Sequence, residues 1–351
     1  MPISIYNYEK VKIPLILEIT KNTTLKNLKD SYYLDNDWQH GPNTMIVFRN
    51  GSEEKYLLDE LKDFVQEYTD RNPINKDFLR QRQELYREKQ KTLVEVEYRD
   101  NVDADLLFEH GQVHVRPKKS GIYNSKKHRN IFDHYRIRLN GIYLEILEKF
   151  KDLSVKEKAH LFLYQFRFIA TLYEEGPKNG HLTFLSHAQG FLSNIEVRGL
   201  NSNIKESFEK KRSELFTNND IILRDDLKDI MLEWEANWTS IAEEMNENFR
   251  KENYDDPEEG VGLKPQLELL KREIAPLNND FHSDLLSLDE TGELEKFIHS
   301  KKMLIFRDIV NLFYLSLPLF EQSMAEKQFY AYSVVKYYET YFNGEVLYTI
   351  K

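Results

Sequence analysis

Apolar positions along the chain change period about a third of the way in, and that change divides the sequence. Val11–Thr20 (VKIPLILEIT) is a nearly continuous apolar run that reads as a strand, with Pro14 placing it at an edge or a strand start. A turn signal, His40-Gly41-Pro42-Asn43, leads into Thr44–Arg49 (TMIVFR), a second strand that stops at Asn50-Gly51. Glu53–Tyr68 then carries Leu57, Leu58, Leu61, Phe64 and Val65 at helical spacing, and Asn72-Pro73 ends it. Lys76–Lys91 is a highly charged helix; Leu93–Tyr98 alternates as a half-exposed strand, and Gln112–Arg116 is another. Beyond Asn130 the period is almost wholly helical. Ile131–Phe150 places Tyr135, Leu139, Ile142, Ile146 and Phe150 on one stripe, and Lys156–Tyr173 follows as a second helix. His181–Leu192 is apolar and fits either a strand or a helix. Asn203–Phe216, Asp225–Lys251, Lys264–Glu273, Glu293–Leu315 and Phe320–Phe342 continue the helical pattern, with Pro318 a break between the last two. The expectation is an α+β protein: a strand-rich part over residues 1–116 and a mainly helical part over 130–351, within one interlocked unit.

Composition narrows the function classes. The 351 residues are 40% apolar and 31% charged, an ordinary globular balance with ample core. Without cysteine there is no disulfide, thiolate metal site or Cys nucleophile. A net charge of −10 argues against broad nucleic-acid binding. The opening MPISIYNYEK lacks the basic and apolar regions of a signal peptide, and no apolar run reads as membrane-spanning, so the expectation is a cytoplasmic protein away from the membrane. No P-loop, G-x-G-x-x-G, H-E-x-x-H or G-x-S-x-G is present. His110 and His114 lie four apart on strand-like sequence without a third ligand nearby, so no metal site is expected. Against the acidic background, Arg116, Lys118, Lys119, Lys126, Lys127 and Arg129 form one cationic stretch with no carboxylate among them. His187 stands alone in the apolar stretch HLTFLSHAQGFLSN, where a histidine is most often a satisfied core residue.

Three segments in order carry a resemblance: Asp37–Pro42 (DWQHGP) before a strand, Ser186–Leu192 (SHAQGFL), and the tail LSLPLFEQSMAEKQFYAYSVVKYYE. Together they resemble the lantibiotic dehydratase C-terminal (elimination-type) family, to which the cycloaddition macrocyclases of thiopeptide biosynthesis are also similar. Elimination-type members read G-P-H-x-R at the turn, and that Arg looks like the group holding the glutamate ester of an activated Ser or Thr. Here Asn43 stands at the His position and Met45 at the Arg position. A thioether cannot supply a bidentate guanidinium for a departing carboxylate. Arg49 lies four residues further on, about 13 Å along a strand, too far for a simple substitute.

The resemblance with that loss implies a macrocyclase. Such an enzyme joins two dehydroalanines of a ribosomal precursor by a formal 4 + 2 cycloaddition, then loses water and the leader to leave a pyridine, with no cofactor. It implies His187 as the proton-handling group, since an imidazole titrates near neutrality. Trp38, Tyr330 and Tyr332 are expected as aromatic walls and His40, Asn43 and Arg49 as further substrate contacts. The cationic stretch is expected to dock an acidic leader peptide. The precursor is the expected partner, with companion dehydratase proteins. The alternatives are a stand-alone glutamate-elimination lyase and a non-catalytic precursor-binding protein.

Overall fold

The computed structural model describes residues 1–49, 54–96, 103–117, 123–199, 203–216, 220–256, 258, 262–277 and 279–342. Every strand among them lies before the basic stretch: β1 (Ile3–Tyr6), β2 (Tyr32–Asp37), β3 (Asn43–Phe48) and β4 (Val113–Val115). They form one antiparallel sheet in the order β2-β3-β1-β4. Around them run α1 (Ile13–Asn22), α2 (Glu54–Arg71), α3 (Lys76–Val96) and α4 (Lys126–Phe150). The rest is helical: α5 (Val155–Thr171), α6 (Pro177–Val197), α7 (Ile204–Leu215), α8 (Asp225–Glu247), α9 (Leu263–Ile274) and α10 (Asp280–Ser287). It ends with α11 (Glu293–Ile298), α12 (Lys301–Ser316) and α13 (Met324–Tyr341). The chain is therefore α+β, with the sheet confined to the N-terminal third.

Two expected strands are helices. Of Val11–Thr20, Ile13–Thr20 belongs to α1, where Pro14 sits in the first turn and its missing N–H breaks no helical bond. Ile13, Ile16, Leu17 and Thr20 recur at steps of three and four, and Leu15 and Ile19 are buried as well, so the helix is apolar nearly all round. The alternating Leu93–Val96 is the end of α3; Glu97 and Tyr98 lie outside the described residues. Conversely β1 and β2 escaped the pattern, β1 for its brevity and β2 for its Asp and Asn residues. The stretch expected as a helix over Glu293–Leu315 is two, α11 and α12.

The chain divides into two compact units. The first comprises Met1–Gly121, Asp133–Lys151 and Leu315–Glu321; the second comprises Ile122–Phe132, Asp152–Tyr314 and Gln322–Lys351. In the first, β2 is an edge strand whose backbone is covered by α4. Asn140 Oδ1 accepts the Leu34 N–H at 3.3 Å, and Arg136 donates to the Leu34 carbonyl at 3.2 Å. An edge satisfied by side chains is closed to further strand pairing. In the second, α6 packs against α5, α13 and α10. Gly180 permits the approach to α5, because a Cβ there would stand 2.0 Å from the Ala170 carbonyl oxygen.

Lys301–Phe320 is long and apolar enough to cross a membrane, contrary to the sequence reading, and 67% of its most apolar window is buried inside the protein. That burial fits a core helix.

Candidate functional site

The turn that opens the resemblance is built from inside. His40 takes a left-handed conformation (φ 62°) and Gly41 follows at φ 114°, where a Cβ would meet the Tyr8 hydroxyl at 2.3 Å. His40 Nδ1 lies 3.1 Å from the Leu106 carbonyl, and its backbone N–H donates to Gln90 Oε1 at 2.5 Å. Gln90 in turn donates to the carbonyls of Asp103, Ala104 and Leu106. Asn43 donates to the Gln39 and Gly41 carbonyls and is 1% exposed. His40 and Asn43 are thus occupied in holding the turn. Trp38 is half-buried beside them, and Arg49 is exposed just past the end of β3.

Met45 is a core residue, clustered with Tyr33, Val47 and Ile137. The arginine at this face of the sheet is Arg136 of α4, 4.1 Å above the Tyr33 ring, and it is committed to Asp35 at 3.0 Å. Tyr33 donates to Asp133 at 2.7 Å. Where an elimination enzyme would need a guanidinium free for a carboxylate, this chain has a thioether in an apolar cluster and a guanidinium already neutralised.

Tyr330 and Tyr332 are likewise 5% exposed. Tyr330 packs against Phe162 and Phe166, and the Tyr332 hydroxyl donates to Glu209. Both are part of the packing of α13.

The cationic stretch is not one loop. Arg116 follows β4, with its guanidinium 5.9 Å from the Phe108 ring centre; Lys118 and Lys119 lie outside the described residues. Lys126, Lys127 and Arg129 form the first turn of α4. Lys126 and Lys127 are exposed there, while Arg129 lies over Tyr123 at 5.3 Å.

His187 is the site residue around which the structure gathers others, all in the second unit. It is half-buried on α6, and its Nδ1 lies 2.9 Å from the hydroxyl of Tyr314 on α12. The Lys327 ammonium of α13 sits 4.4 Å above the same phenol ring. On the adjacent face of α6, Ser186 donates to Nε2 of His282 at 3.1 Å, and His282 Nδ1 donates to Asn279 Oδ1 at 2.8 Å. Phe166, Phe184 and Phe313 surround Tyr314 at 6.0–6.2 Å between ring centres.

Local sequence explains the placement. Pro177 in the first turn of α6, after Gly176 at φ 77°, starts the helix that brings Ser186 and His187 to adjacent faces. A short 3-10 turn at Leu317–Phe320 with Pro318 ends α12, and Ser323 with Glu326 forms a capping box that restarts the helix, so Lys327 lies within the first full turns of α13.

Electrostatics set the protonation states. Burial, with the Lys327 and His282 charges adding to it, pushes His187 down to about 3. Burial lowers His282 to about 4 and Lys327 to about 8, and holds the Tyr314 phenol well above its ordinary value. At neutral pH the site therefore has two neutral imidazoles, a protonated phenol and a largely protonated amine. His187 does not titrate near neutrality as the sequence reading supposed. Its neutral ring can still pass a proton: with the phenol donating to Nδ1, Nε2 carries a hydrogen, and the reverse tautomer leaves Nε2 as an acceptor. Such a pair exchanges donor and acceptor faces without forming an isolated charge. Tyr314, Lys327 and His282 were absent from the sequence reading, because only the packing of α6, α10, α12 and α13 brings them to His187.

No family model matches the chain, and neither does any curated protein sequence. Among solved structures, "Pyridine synthase, TbtD, from thiomuracin biosynthesis" is similar with a TM-score of 0.57, covering 97% of this chain and 98% of that one at 14% identity. TsrL is similar with a TM-score of 0.58, covering 99% and 97% at 13% identity. The likeness is one of fold. It extends over essentially the full length of both neighbours.

Proposed function

We propose that this chain is a pyridine-forming peptide macrocyclase acting on a dehydrated, leader-bearing precursor. The observation that carries the proposal is the pairing of a pyridine-synthase-like fold with a neutral His187–Tyr314 relay 2.9 Å apart. The formal cycloaddition asks for a site that holds two alkenes at near-attack distance and shuttles protons during amide tautomerisation and the later loss of water and leader. A neutral relay suits that work, since the amide nitrogen gives up a proton and the amide oxygen receives one.

The burial of Met45 and the commitment of Arg136 to Asp35 speak against glutamate elimination at the turn. Lys126 and Lys127 remain the candidates for leader docking on the described surface, with Lys118 and Lys119 adjoining them in sequence. A matched pair of peptides tests the reading. The enzyme should convert a dehydroalanine-containing peptide and leave the corresponding glutamyl-serine peptide intact. Free glutamate from the second peptide would instead make the protein a lyase.

A further inference from the structure

Lys327 is the cationic member of the cluster, and the relay does not use it. Among the described residues its ammonium makes no ion pair and no hydrogen bond; its contact is the face of the Tyr314 ring at 4.4 Å. It is half-buried. A cation held out of bulk water without a carboxylate costs free energy unless something else offsets it, and a ring face offsets only part of that cost. The positive field is aimed at the relay, since it disfavours an imidazolium at His187.

We propose that the Lys327 ammonium is the oxyanion-binding group of this site, receiving the substrate amide oxygen on which negative charge develops during tautomerisation. This rests on the macrocyclase reading. In the step, the amide N–H bond breaks and its proton passes to the His187–Tyr314 pair. The electron pair left on nitrogen shifts to form C=N, and the carbonyl π pair moves to oxygen, giving an imidate. The pair then returns the proton to oxygen, yielding the iminol, whose C=N is conjugated with the dehydroalanine C=C as a 2-azadiene. One proton has moved from nitrogen to oxygen, and no oxidant or reductant is needed. Lys327 supplies the charge that the imidate requires in a water-poor site. The same charge opposes an imidazolium in the empty site, and a developing oxyanion beside it removes that opposition. The one cation thus favours proton uptake by His187 only when substrate charge accompanies it.

The test is steady-state turnover of a dehydrated, azole-containing, leader-bearing peptide by the full chain and by Lys327→Met, Lys327→Gln and Lys327→Arg. Either neutral variant suffices if the other fails to fold by circular dichroism. Loss of an oxyanion donor should lower kcat about 10²–10³-fold with KM nearly unchanged, and Lys327→Arg, which keeps the charge, should retain more activity than both neutral variants. Wild-type kcat in a folded neutral variant would overturn the assignment, as would an arginine variant no better than the neutral ones. Absence of product from the wild type would overturn the macrocyclase reading itself and the step with it. Product from the wild type together with an unimpaired Lys327→Met would overturn the role of Lys327 alone.

Discussion

Acid should destabilise this protein through His282, and the size of the effect follows from its burial. The side chain is 1% exposed and bonded at both ring nitrogens, donating to Asn279 and accepting from Ser186. Burial holds it at about 4, against an ordinary value near 6.5 in the unfolded chain. The folded state thus favours the neutral ring. Its contribution is fully present above pH 6.5 and is lost as pH falls toward 4, because over that window the unfolded chain binds a proton that the folded chain refuses. At about 1.4 kcal/mol per pH unit, roughly 2 kcal/mol should be lost between pH 7 and pH 5. The perturbation is His282→Gln, which keeps polar bonding and removes the titration. It should cost about 1 kcal/mol at pH 7 through poorer hydrogen bonds. Between pH 7 and pH 5, however, it should lose about 2 kcal/mol less than the wild type. Urea unfolding read by tryptophan fluorescence is the assay, since Trp234 and Trp238 are fully buried in the same unit. Parallel midpoint shifts for both proteins between the two pH values would refute the argument.

Other perturbations follow from the same structure. His187→Ala should lower turnover by about 10²–10⁴-fold while leaving peptide affinity nearly intact, measured as kcat against KM; an unchanged kcat would return His187 to a packing role. Met45→Arg should not create an elimination enzyme: a guanidinium placed in the Tyr33–Val47–Ile137 cluster beside Arg136 should cost about 3 kcal/mol or more, read as a lowered melting temperature, with no glutamate released. Reversal of Lys118, Lys119, Lys126 and Lys127 together to Glu should weaken leader binding by roughly tenfold at low salt and much less at high salt, by fluorescence anisotropy. Acidic residues suit the first turn of α4, so this variant should fold, and equal affinities at low salt would place leader docking elsewhere.

The α+β class was legible from the strand at Thr44–Arg49, the strand at Gln112–Arg116 and the helical period beyond Asn130, although three helices share the N-terminal third with the four short strands. What failed was local. In Val11–Thr20 every position but a few is apolar, so both periods fit, and Pro14 suits a strand edge as well as a first helical turn. In Leu93–Val96 alternating Val and Glu mimic a strand, yet α3 simply continues through them. At the turn, His40 and Asn43 looked like functional groups because polar residues before a strand often are; their hydrogen bonds go to the Leu106, Gln39 and Gly41 carbonyls instead. His187 was legible as a histidine in a largely apolar stretch. Its neighbours were not, since Tyr314 sits in the apolar LFYLSLP and Lys327 in an ordinary helix start, and nothing in either segment points to His187. Nor could its protonation state be read, because burial and the Lys327 field arise only from the packed helices.

The central claim is that the protein closes a ring on a dehydrated peptide. Its most direct test is intact-mass spectrometry of a leader-bearing, azole-containing peptide with two dehydroalanines, before and after incubation with the purified chain. The expected product has lost water and the leader, with new pyridine absorbance and no free glutamate from a glutamylated control. An unchanged dehydrated peptide, or dehydroalanine formed from the glutamylated control, would contradict it.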